Sequence, residues 1–92
     1  MNYQEKLDMD YEKKIRELET AYCSTQKCMI ENYEMAERAD NLHTRRTFLN
    51  AAAFCARQLN EFAIARNSII EKQASIGQKL SLIEYIQKKE DA

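Results

Sequence analysis

The sequence predicts an all-α fold: an antiparallel hairpin of two long, coiled-coil-like helices, with two copies meeting in a dimeric four-helix arrangement. Three observations carry that reading. The 92 residues include no Pro, one Gly and 32% charged side chains, which leaves a sheet protein without the residues its turns are made from. Apolar residues recur at helical spacing along two separate stretches, as they do on a helix face that packs against a neighbour. The two stretches are out of phase across a segment rich in helix-starting residues.

The whole chain, residues 1–92, reads as one domain, small enough that a core built from it alone is marginal. Helix 1 is predicted over about 3–39. Its face places Ile15, Tyr22, Met29 and Ala36 at heptad position a and Tyr11 and Leu18 at d. Leu7 and Tyr33 widen the stripe, and Thr25 and Asn32 are polar exceptions at d. Tyr and Met have polar or polarisable tips and specify packing less sharply than branched aliphatics, so this is the weaker of the two faces.

From Ala36 to Ala52, both at a, is sixteen residues, two more than two heptads. No continuous seam absorbs that offset. Between them lies "RADNLHTRR", in which Asp40, Asn41 and Thr44 are suited to cap a new helix. The turn is therefore predicted at about 40–42, with a single unbroken helix of about 85 residues as the competing reading.

Helix 2, predicted over about 43–90, has the cleaner register. Position d falls on Phe48, Cys55, Phe62, Ile69, Ile76 and Ile83, and position a on Ala52, Leu59, Arg66, Gln73, Leu80 and Gln87. A second stripe at e, Leu49, Ala56, Ala63 and Ile70, makes the face wider than a two-helix contact requires. That width predicts packing on more than one neighbour. A mid-helix Gly costs about 1 kcal/mol relative to Ala, but the seam passes through Gly77 in phase, so the helix is expected to continue.

The two predicted lengths differ: about 55 Å against 72 Å at 1.5 Å per residue. Folded back at the turn, residue 3 lies opposite about residue 78, and the segment "KLSLIEYIQKK" at 79–89 overhangs. Burying Leu80, Leu82, Ile83 and Ile86 would contribute about 1.5–3 kcal/mol each; uncovered, they form an association surface. With Ile76 they are the candidate partner-binding or dimer residues. A second copy or a helix of another protein would cover them.

Arg66 and Gln73 occupy a positions where an aliphatic is expected. Either Arg66 lays its stem on Phe62 and Ile69 with the guanidinium in solvent, or the two polar residues fix register and oligomeric state. In the hairpin Glu19 is the expected ionic partner of Arg66. Glu5, Glu12 and Glu19 recur every seven residues, and they are expected to pair with Lys79, Lys72 and Arg66. Each exposed pair would contribute less than about 1 kcal/mol.

Little in the sequence points to chemistry. Cys23 and Cys28 are five apart and face different directions on a helix, there is no C-x-x-C, and His43 is the single histidine. No metal site and no cofactor are expected. Cys28 and Cys55 come level in the hairpin, either as a disulfide or as two small buried hydrophobes. No Ser or Cys has a base at helical spacing and no Gly-rich phosphate loop exists, so an enzyme is not expected. Arg45 and Arg46, with Arg38 across the turn, form a basic cluster and a candidate anion contact. The net charge is -1, with ten acids and six bases over residues 1–40 and five acids and eight bases over 41–92. Opposite signs suit two helices that lie together and provide no general field for a polyanion, so nucleic acid is not an expected partner.

The N-terminal "MNYQEKLDMDYEKK" has no apolar core of a signal peptide, and no run approaches the roughly 18 apolar residues of a membrane span. A cytoplasmic protein with free thiols and no membrane contact is expected. Trp is absent and the single Gly lies far from the turn, so the Trp-x-Gly turn of small secreted helical-hairpin proteins is missing. The functional expectation is a non-enzymatic adaptor, chaperone or inhibitor that self-associates and binds another protein through its helical faces. The alternatives are a phage-type inhibitor acting through charge on a host or nucleic-acid-binding protein, and a purely structural coiled coil.

Overall fold

A computed structural model describes residues 2–91, apart from the side chain of Gln4. They form two α-helices, α1 (Tyr3–Arg38, 36 residues) and α2 (Leu42–Asp91, 50 residues), packed against each other as an extended antiparallel hairpin. A compact chain of this length has a radius of gyration near 12 Å, whereas the hairpin has 21.5 Å and extents of 77 × 20 × 11 Å. At 1.5 Å per residue α2 alone spans about 75 Å. The longer helix therefore sets the length of the molecule.

Both helices begin on an asparagine. Asn2 Oδ1 accepts the Glu5 amide at 2.8 Å, and Asn41 Oδ1 accepts the Thr44 amide at 2.8 Å. Each bond satisfies one of the amides that a helix N-terminus leaves without an intrahelical partner. α1 ends at Ala39, in extended backbone, whose N–H returns to the Ala36 carbonyl at 3.2 Å. The reversal spans only Ala39 to Asn41. It uses no positive φ among the described residues, which is why the turn needs no glycine. Gly77 interrupts nothing: α2 runs through it to Asp91.

The seam residues are the covered ones. On α1 the a and d positions from Asp8 to Ala36 are buried or half-buried, as are those of α2 from Phe48 to Leu80. Polar members of the seam bond back to the backbone or across it. Asn32 Nδ2 donates to the Cys28 carbonyl at 2.9 Å, so its amide is not orphaned. The core is uneven along the rod. Among the described residues the four that are buried, Ala36, Ala52, Cys55 and Leu59, all lie in the half nearest the turn. Two alanines at a face each other's helix there, and small side chains let helices approach closely. Ala52 is 0% exposed. In the other half Phe62, Ile69 and Ile76 are only half-buried.

Candidate functional site

At the open end, α2 outruns α1. Every described residue from 81 to 91 is exposed, including Leu82 at 59% and Ile83 at 50%, with Tyr85 and Ile86 similarly bare. One intrahelical cover exists, the Lys89 ammonium 5.2 Å from the centre of the Tyr85 ring. Of the residues assigned to this surface from the sequence, Leu80 and Ile76 are half-buried and still belong to the hairpin seam. The free segment starts at Ser81, two residues later than helix lengths alone indicate.

Just inside that end, polar groups cross the seam. Arg66 Nε donates to Glu19 Oε1 at 2.9 Å. Gln73 Nε2 donates to Asp8 Oδ1 at 3.3 Å. Arg66 and Gln73, the two polar a residues within the paired part of α2, thus have partners on α1. Asp8 was not singled out in the sequence, though it stands seven residues before Ile15 and so at a. The expected pairs Glu12–Lys72 and Glu5–Lys79 are not formed: Arg66–Glu19 is the single ion pair among the described residues. Lys72 and Lys79 sit at g, on the flank away from those glutamates, and an exposed lysine gains too little from a distant pair to hold one geometry. Even Arg66–Glu19 is half exposed, with side chains 42% and 48% accessible, so it adds little to stability.

The thiols are free. Cys55 is buried whereas Cys28 is exposed, which corrects the reading of both as buried hydrophobes: Cys28 lies at g, at the seam's edge rather than in it. Burial pushes the Cys55 thiol above its ordinary pKa, and the neighbouring Cys28 thiol pushes it the same way. Among the described residues no three His, Cys, Asp or Glu side chains come together as metal ligands, and no helix is long and apolar enough to cross a membrane. At the closed end Arg45 and Arg46 are exposed, and Arg45 lines a shallow cleft with Tyr33, Ala36, Glu37 and Leu49.

A second apolar surface runs along one side of the rod. A cleft of about 420 Å³ opens between Leu18 and Tyr22 on α1 and Phe62 and Ala63 on α2, with Arg66 and Glu19 at its edge. The Leu49 cleft lies on the same side, nearer the turn. The e stripe predicted for α2 is on this side and uncovered: Leu49 is 41% and Ile70 37% exposed, and Ala56 is exposed as well. Ile30 and Tyr33 extend the apolar surface onto α1. Comparison with protein-family models, curated proteins and solved structures returned no match.

Proposed function

We propose that this chain is a non-enzymatic protein-interaction module, an adaptor, chaperone or inhibitor, that self-associates and engages a helix of another protein through the end of α2. The observation that carries the reading is the overhang itself. Leu82, Ile83, Tyr85 and Ile86 project from eleven residues of helix that no other described part of the chain covers. An isolated helix of that length is marginal in water, and a bare cluster of large aliphatics marks a docking surface. A partner helix laid against it would bury those side chains as i, i+3 and i+4 anchors.

The test is a pair of substitutions, Ile83→Asp and Ile86→Asp, in the full chain. Both positions are exposed, so the hairpin should keep its helicity by circular dichroism. Proteins that co-purify with the unaltered chain should be lost from the double variant. Retention of the same proteins at the same affinity would refute the reading.

A further inference from the structure

We infer that a second copy of this chain packs antiparallel along the uncovered side of α2, about a two-fold axis near Ala63. The inference rests on the self-association part of the reading above and adds the face and the alignment. The hairpin exposes 7417 Å², whereas a compact monomer of 10.8 kDa exposes about 5,500 Å². The excess, about 1,900 Å² per chain, is more than the roughly 800 Å² per partner of a standard interface. The overhang does not supply it: eleven residues are fewer than the roughly 20–30 a side that such an interface uses. A longer face is needed.

α2 has one. Its e positions are Leu49, Ala56, Ala63, Ile70 and Gly77, and the b positions beside them are Ala53, Asn60, Asn67 and Ala74. No charged residue occupies either position from Leu49 to Ser81, while the other flank carries Glu61, Lys72 and Lys79. Depletion of charge marks the centre of an interface.

The occupant follows from the order of sizes. A two-fold interface requires that if residue i meets j, then j meets i. Reversed about Ala63, the stripe matches itself: Leu49 falls opposite Gly77, Ile70 opposite Ala56, Ala63 opposite Ala63, and Asn60 beside Asn67. Each large aliphatic meets a small residue, and each Asn meets an amide able to donate and accept. The same alignment carries Leu82 and Ile83 to the level of residues 43 and 44 of the second copy, beside its exposed Leu42. Gly77 is the most telling member. A Cβ there would meet nothing within 4 Å, so the hairpin has no steric need for the residue that most weakens a helix interior short of Pro. Opposite Leu49 of the second copy it becomes the hole for that side chain.

Because a Cβ at Gly77 meets no neighbour within 4 Å, Gly77→Leu should leave the single chain folded, which circular dichroism at the dilute limit checks, and act on the contact alone. Light scattering on the full chain, diluted from about 1 mM to 1 µM, should show a dimer. Gly77→Leu should weaken it at least tenfold, and adding Leu49→Ala should recover most of that loss by exchanging knob and hole. A dimer indifferent to Gly77→Leu, or weakened and not recovered by Leu49→Ala, would overturn this face and alignment while leaving self-association in place. A monomer throughout the dilution would overturn both.

Discussion

The two ends of the rod are built from the same two helices and hold together differently. At the closed end Ala36, Ala52, Cys55 and Leu59 are buried, and the turn is pinned by the Asn41 cap. At the open end the seam residues are half-buried, the contacts across it are Arg66–Glu19 and Gln73–Asp8, and beyond them α2 continues alone. Apolar burial is worth about 25 cal/mol per Å², and half-exposed ion pairs contribute 0–1 kcal/mol at most, on the order of the noise in such sums. The closed end therefore supplies the stability. The open end supplies polar contacts across the seam and exposed apolar surface. Buried core and exposed apolar surface are separated along a single axis, so each should be alterable with little effect on the other.

The largest effect should come from Leu59→Ala. Removing a buried leucine costs about 2–5 kcal/mol, and urea unfolding at fixed protein concentration measures it. Ile83→Ala, by the same measurement on the hairpin, should stay within about 0.5 kcal/mol because the residue is exposed. Equal losses at the two positions would break the contrast between the ends. Next in size are the helix caps. Asn41→Ala should lower global stability by about 1 kcal/mol. Asn2→Ala removes a bond of the same 2.8 Å length from the loosely packed end, and its effect should appear as faster amide exchange over the first turn of α1 rather than as a shift in the global transition.

Smaller still is the ion pair. Glu19→Gln should cost less than about 1 kcal/mol, and Arg66→Leu, which continues the apolar seam, should raise the melting temperature. The thiols provide the finest test. Cys23 is exposed and Cys55 buried, so an alkylating reagent at mildly alkaline pH should modify Cys23 first and Cys55 last. The sign follows from the raised thiol of Cys55. A group whose pKa is higher in the folded state stabilises the fold below the unfolded thiol's pKa, and that contribution declines as pH rises through the folded value. Unfolding of a Cys55→Ala variant should accordingly depend less on pH above the ordinary thiol range. Equal alkylation rates at Cys23 and Cys55 would show that the closed end opens as readily as the rest.

Much of this fold is legible in the sequence because a heptad pattern is local. Phe48, Cys55, Phe62, Ile69 and Ile76 recur every seven residues, and the covered positions of α2 follow them. The turn is legible for a different reason: Asn41 is a cap by side-chain chemistry. The uneven depth of the core is not legible, since Ala52 and Phe62 both read as seam residues while only the structure shows that the alanine end closes and the phenylalanine end stays half open. Pairings across the seam fare by distance from it. Arg66–Glu19 follows from helix geometry, whereas Glu12–Lys72 and Glu5–Lys79 fail because the lysines stand on the opposite flank. Cys28 is missed by one heptad position. The candidate surface at the end of α2 is readable as an excess of length, yet its first free residue depends on how α1 begins, a detail no periodicity carries.

The sixteen-residue offset between Ala36 and Ala52 has one more effect. Hairpins joined by a three-residue link are prone to domain swapping, in which the link straightens and two chains exchange helices. At about 100° per residue, sixteen positions turn a straightened helix through roughly 160° beyond whole revolutions. The apolar lines of α1 and α2 would then face almost opposite directions, and two straightened chains could not zip together along a single line. The phase slip that obliges the chain to fold back on itself also penalises the exchanged form.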